Sequence, residues 1–342
     1  MSKYIPISCY IELTSQCNLK CIHCYNDSGI HKKNQISLEK FKNIIVSLQK
    51  YETRNIILSG GEIFTLKNIK EYFDAIPRDF GIEIITNGTI VNQEIINLIK
   101  DRKATLQISI EGASDLVNDL IRGKGSFNLL EKNIDLFKEN GVNYYFKTTI
   151  NKNNYLYLEE IIKYAIEKKA KKFFFGFVKK LGRAINNHLN LELEPKIKKD
   201  IIKNLILYKQ KYKELIDIDI TTISETYCPI VYGGEKLNII PKVNYEGYIY
   251  LCQIFDNKKY SCGNIYDITL DEALSYERTE TIRRYILQCN KKLDKCNKCF
   301  ARKYCNNGCP ENIINNEQIE TDDLCPVRKE IILETIIGKL YD

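Results

Sequence analysis

No run of eighteen apolar residues occurs in the 342-residue chain, and its start lacks the basic, apolar and small-residue pattern of an export signal. A membrane-spanning helix and secretion are therefore not expected. The chain also lacks internal repeats, long low-complexity linkers and any recognisable nucleic-acid-binding motif. Its net charge of +7 arises from 51 basic and 44 acidic residues, and an imbalance of that size does not by itself imply a nucleic-acid partner. The lysines at 168, 169, 171 and 172 read as solvated helix ends, or as a holder of an acidic peptide or other anion. Neither nucleic acid nor membrane is expected as a partner. At this length a large core can form without disulfides.

Cysteine, by contrast, is plentiful. Thirteen are present, grouped at metal-like spacings. That pattern argues for metal rather than disulfides, and for a reducing compartment, the cytoplasm. Cys17, Cys21 and Cys24 form a C-x3-C-x2-C run with His23 before the last Cys and Tyr25 after it. Three thiolates can hold three irons of a 4Fe–4S cluster and leave the fourth iron open to a ligand. A zinc knuckle, or three cysteines buried in a core, is the alternative.

The run resembles the signature of the radical S-adenosylmethionine (radical SAM) superfamily. The resemblance implies that the open iron chelates SAM, and that one electron splits it to a 5′-deoxyadenosyl radical. This radical then abstracts a hydrogen from the substrate.

Strand candidates are Cys9–Thr14, Asn55–Ser59, Ile82–Thr86, Thr105–Ile110, Tyr144–Ile150 and Lys172–Phe177. They are short, apolar, and β-branched or aromatic, as buried parallel strands are. Helical patterns lie between them. One is capped by Ser37 and runs to about Lys50, with Phe41, Ile44, Ile45 and Leu48 on one face. Another runs from about Phe127 to Glu139, with Asn140-Gly141 as its stop. The expected class is α/β. The six βα units fit the partial (β/α)6 TIM-like barrel that the resemblance implies, over residues 1–210. A basic helix at 194–212 leads through a linker, 211–227, into a small cysteine-rich domain, 228–342, that ends in a helix.

Other motifs follow the strands, where sites form in α/β folds. Ser59-Gly60-Gly61-Glu62 combines glycines, which let a ligand approach the backbone, with a carboxylate that can pair with an ammonium group. It resembles the family motif that binds the SAM amino group. Asn87 follows the third strand. The resemblance places Ser109 and Glu111 near the ribose or methionyl carboxylate, and Arg122 at that carboxylate. Gly182-Arg183-Ala184 resembles a run in relatives with extra clusters, or is a structural turn. His23 is expected to pack by the cluster and adenine, without acid–base work.

The C-terminal cysteines resemble the SPASM domain, which carries up to two auxiliary Fe–S clusters. By that resemblance Cys296, Cys299, Cys305 and Cys325 hold auxiliary cluster II, while Cys228, Cys252 and Cys309 belong to auxiliary cluster I. A zinc ribbon is the alternative. Pro229 to Leu251 contains no Cys, so cluster I has an open iron, is smaller, or takes another ligand such as Cys262. Cys9 and Cys289 read as buried or incidental thiols.

The resemblance implies a radical SAM enzyme that modifies a ribosomal peptide or protein, by a thioether or carbon–carbon crosslink or by epimerisation. In the latter case Cys228, if not a ligand, would return the hydrogen atom. A sulfatase maturase would place Asp after the Cys corresponding to Cys252, and here that residue is Gln253. A tetrapyrrole- or small-metabolite-modifying enzyme, and a multi-cluster electron carrier, are the other readings. The expected partners are a peptide or protein substrate, a reductant such as flavodoxin or ferredoxin, and a separate leader-binding protein. The cysteine motif begins at Cys17, and a leader-recognition domain is not expected ahead of it; a separate protein then supplies leader binding, or the substrate is recognised without one, or it bears no leader.

Overall fold

The computed structural model describes residues 4–186, 190–220, 228, 230, 237–291, 293–305, 308–311 and 324–341. Its frame is a ten-stranded sheet, and the chain order explains most of it. After a short strand β1 (Tyr4–Pro6) come β2 (Cys9–Thr14), α1 (Leu38–Lys50), β3 (Asn55–Gly60), α2 (Ile69–Asp74), β4 (Gly81–Thr86) and α3 (Gln93–Asp101). There follow β5 (Thr105–Ser109), α4 (Asp115–Arg122), α5 (Ser126–Glu139), β6 (Asn143–Ile150), α6 (Leu158–Glu167) and β7 (Lys172–Phe177). Strands β2 to β7 pair in sequence order, all parallel. Every expected strand is present, with bounds within a residue.

Local chemistry sets the helices. The Ser37 hydroxyl accepts the Lys40 N–H and caps α1, which buries Phe41, Ile44, Ile45 and Leu48. Each such side chain contributes about 1.5–3 kcal/mol of burial. Gly141, at φ +66°, follows the end of α5.

The expected linker is corrected in part. After α7 (Arg183–Asn186) and α8 (Pro195–Lys211), residues Asp217–Ile220 form β8, a seventh parallel strand beside β7. The reason is a period-two pattern in which Ile216, Ile218 and Ile220 are buried and the intervening Asp217 and Asp219 are not. The rest of that stretch, 221–227, lies outside the described residues.

The cysteine-rich part is built onto the same sheet. β9 (Leu237–Ile239) pairs with β1, and β10 (Lys242–Val243) lies parallel to β2 on its free side. β11 (Tyr248–Tyr250) and β12 (Gly263–Asn264) follow antiparallel. Helices at Tyr276–Lys291 and Cys325–Tyr341 complete the chain. Among the described residues, no helix is long and apolar enough to cross a membrane.

Candidate active site

The cysteine loop leaves the end of β2 and is held from three sides. From β3, Gly61 N–H donates to Thr14 O at 2.6 Å and Glu62 N–H to Gln16 O at 2.8 Å. A Cβ at Gly60, where φ is +142°, would lie 2.4 Å from Thr14 O, and one at Gly61 would lie 2.1 Å from Gln16 O. The space a Cβ would need at these two glycines is thus taken by the chain's own backbone. From α4, Ile121 O accepts the Ile22 N–H at 2.9 Å. From the turn after β7, Arg183 N–H donates to Cys24 O at 2.9 Å. The Arg183 guanidinium donates to Cys21 O (2.8 Å), Ser28 O (2.6 Å) and Asp27 Oδ1 (2.9 Å). Gly182 takes φ +54°, and a Cβ there would lie 2.3 Å from Tyr25 O, so both its backbone angle and the close approach favour glycine. The Gly182-Arg183 pair is therefore a clasp on the cysteine loop.

Within the loop, Cys17 and Cys21 are buried and Cys24 is half-buried. Cys17 Sγ accepts from Leu19 N–H at 3.4 Å and Asn87 Nδ2 at 3.8 Å, and Arg122 Nη1 lies 4.0 Å from Cys21 Sγ. Burial, then the Glu62 carboxylate, pushes the Cys17 thiol up to about 12, and burial raises Cys21 as well. Metal binding, with its own positive charge, is what would hold these groups as thiolates. A sulfur-only donor set fed by N–H donors suits an iron–sulfur cluster.

Two buried carboxylates flank the loop. Glu62 accepts Asn87 N–H at 2.7 Å, Thr86 Oγ1 at 2.9 Å and Phe64 N–H at 3.2 Å. Burial nonetheless raises its pKa, and these donors only oppose that shift. Glu111 is the opposite case. Burial pushes it up, but His23 and Arg122 outweigh burial and hold it below its ordinary value. Arg122 Nη2 donates to Glu111 Oε1 at 2.7 Å, and His23 Nε2 lies 3.3 Å from the same oxygen. His23 thus does more than pack, since its Nε2 and Arg122 meet the same Glu111 oxygen. Arg122 Nε and His23 Nδ1 are buried without a hydrogen-bond partner in the protein. Such unpartnered nitrogens, the Arg122 one a donor, suit a polar ligand beside the cysteine loop.

Cys17, Cys21, Cys24, Glu62, Asn87, Glu111 and Arg122 therefore converge at the C-terminal ends of β2 to β5. Asn87 also donates to Asn18 Oδ1 at 2.9 Å, tying β4 to the loop. Ser109, half-buried, ends β5 at the same level, opposite Lys147 in register.

Of the C-terminal cysteines, Cys296, Cys299, Cys305 and Cys325 come together. Burial raises the Cys296 thiol, and Cys325, Cys305 and Cys299 raise it further. Cys252 follows β11, and it and the half-buried Cys228 pack against the main core. Cys309 is half-buried beyond Gly308, which takes φ +85°. Cys262 is 3% exposed within the apolar core, where burial pushes its thiol up to about 12. Cys9 is fully buried, as expected. The Cys289 side chain lies outside the described residues.

Sequence reasoning left the role of Arg183 open and passed over Glu12 and Lys242, both fully buried beside this site. The available signal was a lone charge inside an otherwise apolar strand.

Comparison with known proteins agrees with this geometry. Residues 11–165 match the model of the Radical SAM superfamily, and residues 240–300 match SPASM, an iron–sulfur cluster-binding domain. The chain is 26% identical over 346 residues to the antilisterial bacteriocin subtilosin biosynthesis protein AlbA of Bacillus subtilis (strain 168), covering 97% of this chain and 73% of AlbA. It is 35% identical over 126 residues to the mycofactocin maturase MftC of Mycolicibacterium smegmatis, covering 36% of this chain and 32% of MftC. Among solved structures, native anSMEcpe with bound AdoMet and Cp18Cys peptide shares the fold, with a TM-score of 0.76 at 20% identity and 98% of each chain covered. Residues 11–165 thus form a Radical SAM domain and residues 240–300 a SPASM domain: the chain is a radical SAM enzyme that takes SAM and a 4Fe–4S cluster, and its SPASM domain takes auxiliary iron–sulfur clusters.

Proposed function

We propose that this enzyme modifies a ribosomal peptide, and that Cys17, Cys21 and Cys24 are the three thiolate ligands of its catalytic cluster. The observation that carries the reading is the convergence of three thiols with two buried carboxylates and two unpartnered buried nitrogens at one end of the sheet. When bound, SAM and the cluster supply a 5′-deoxyadenosyl radical that takes a hydrogen atom from the substrate. The chain's own residues hold and orient. Glu62, fixed by Thr86 and Asn87 behind Gly60 and Gly61, faces the amino group. Arg122 and His23 turn their unsatisfied nitrogens toward a carboxylate or ribose, with Glu111 and Ser109 beside them. Arg183 keeps the loop closed.

In the C-terminal part, Cys296, Cys299, Cys305 and Cys325 hold auxiliary cluster II, and Cys228, Cys252 and Cys309 serve auxiliary cluster I. The barrel and SPASM parts divide near residues 211–227, with β8 belonging to the barrel. The peptide bound in anSMEcpe, and the bacteriocin and maturation roles of AlbA and MftC, support a peptide substrate. Crosslinking is the leading reaction and epimerisation the second, the latter with Cys228 as hydrogen donor only if it is not a cluster ligand. Gln253 leaves formylglycine formation without its expected base. A small reductant of the flavodoxin or ferredoxin kind, a separate leader-binding protein and a cytoplasmic setting complete the proposal.

The test is anaerobic reconstitution followed by reduction in the presence of SAM. The wild-type protein is expected to form 5′-deoxyadenosine, and Cys17→Ala is expected to form none. With a candidate peptide, loss of two hydrogens marks a crosslink, and unchanged mass with an inverted residue marks epimerisation. A fully iron-loaded protein that never cleaves SAM would sink the proposal.

A further inference from the structure

One group of buried charges lies between the two cysteine fields and belongs to neither. Glu12 sits in the middle of β2 and Lys242 at the start of the neighbouring β10, and both side chains are 0% exposed. Lys242 Nζ lies 2.7 Å from Asp256 Oδ1, 4.0 Å from Glu12 Oε1 and 5.1 Å from the centre of the Tyr250 ring. On the barrel side, Glu12 Oε1 accepts Tyr25 Oη at 2.9 Å, and Tyr25 directly follows Cys24. On the other side, Asp256 directly follows the turn Cys252–Phe255, which Phe255 N–H closes by donating to Cys252 O at 3.3 Å. Tyr250 Oη donates to Asp256 O at 3.0 Å, and Asn244 Nδ2 reaches its carboxylate at 3.5 Å. The hairpin tip makes a second link, with Tyr245 Oη donating to Asn26 O at 3.5 Å.

Energetically this is an odd way to hold two parts together. Buried ion pairs stabilise less than apolar packing of the same volume, and Glu12 Oε2 is buried with no hydrogen-bond partner. What such a group does supply is a fixed field, acting where water screens least. Its one ammonium sits on β10 opposite Tyr250, the last residue of β11 and two before Cys252, with a carboxylate on either side.

We infer that Lys242 is a tuning residue for the auxiliary cluster held by Cys252: its buried positive charge keeps that cluster reducible, and Asp256 and Glu12 hold it in place and tie it to the Cys24 loop. The inference rests on the assignment of Cys252 as a ligand made above. It goes further by naming residues that set a redox property without touching iron.

The test is a redox titration of the fully reconstituted protein, followed by electron paramagnetic resonance, with no substrate needed. Lys242→Met is expected to make the auxiliary cluster about tenfold harder to reduce at a given potential, a shift of about 59 mV for one electron. Asp256→Asn is expected to shift it the other way, and the double variant to fall between. If Lys242→Met does not fold, Asp256→Asn and the double variant carry the comparison. Unmoved potentials with all cluster signals intact would overturn the inference. So would shifts of the same direction in both single variants, since loosening of the structure has no sign. Cys252→Ala separates the two readings. It should remove one cluster signal and its iron; if both persist, the ligand assignment has failed and the inference falls with it.

Discussion

Replacing Gly61 by alanine tests how the catalytic loop is held. The new methyl would stand 2.1 Å from Gln16 O, 2.6 Å from Gln16 C and 3.0 Å from Ser15 O. All three are backbone atoms, so no side chain can swing aside. The Gln16 carbonyl must retreat by about 0.9 Å to reach even 3.0 Å, one residue before Cys17. Overpacking of this kind costs about 1–3 kcal/mol. The two backbone hydrogen bonds from Gly61 and Glu62 add roughly 0.5–1.5 kcal/mol each if they are lost. A total of roughly 3 kcal/mol corresponds to a fall in Tm of roughly 4 °C for a chain of this size. Thermal unfolding of the cluster-free protein measures it, and iron content after reconstitution reports whether Cys17 still reaches its place. Gly29→Ala is the control, because it lies in the same loop and a Cβ there meets nothing within 4 Å. If Gly61→Ala melts with Gly29→Ala and loads the same iron, the backbone contact is not what holds the loop.

Arg183→Ala removes three guanidinium bonds to the cysteine loop. It is expected to lower iron retention and SAM cleavage together, and Arg183→Lys to restore part of each; unchanged iron under a chelator challenge would refute the clasp. Asp119 gives a pH test. It accepts from Gly125 N–H, Phe127 N–H and Ser126 Oγ, and these donors outweigh burial and hold its pKa below the ordinary value. Its stabilisation is therefore complete above the ordinary carboxylate range and is lost as pH falls through the lowered value. Asp119→Asn should cost about 1 kcal/mol near neutrality and flatten the acid limb of a stability-versus-pH curve. Cys296→Ala should remove about four irons while 5′-deoxyadenosine formation without substrate persists; an unchanged iron count would show that the four-cysteine group holds no cluster.

Much of the barrel was legible because its strands bury one face fully and leave the other largely half-buried, so they read as short apolar runs between helical patterns. Ser37, the α1 stripe and Asn140-Gly141 were all visible before any contact was known. β8 was not, because Asp-Ile-Asp-Ile shows its period over only four residues and looks like a connection. β10, β11 and β12 are two or three residues long, below what periodicity can detect. The cysteine motif and Gly-Gly-Glu were readable as chemistry. The reason for the glycines was not, since it depends on which backbone lies against them. Glu12 and Lys242 stayed hidden for a similar reason. They are neighbours only because β10 lies beside β2, and that order is a property of the sheet.

The placement of β10 against β2 also bears on how the protein can be divided. Val243 and Lys242 pair with Ile11 and Tyr10, and the Tyr10 N–H donates to Pro241 O at 2.9 Å. A barrel expressed without its C-terminal third would bare that flank of β2 as an open row of unpaired amides, next to the residues that lead to the catalytic cysteines. Open rows of this kind recruit other chains. Insolubility of such a fragment would thus report a missing neighbour strand, and would say nothing against the competence of the radical chemistry in the intact chain.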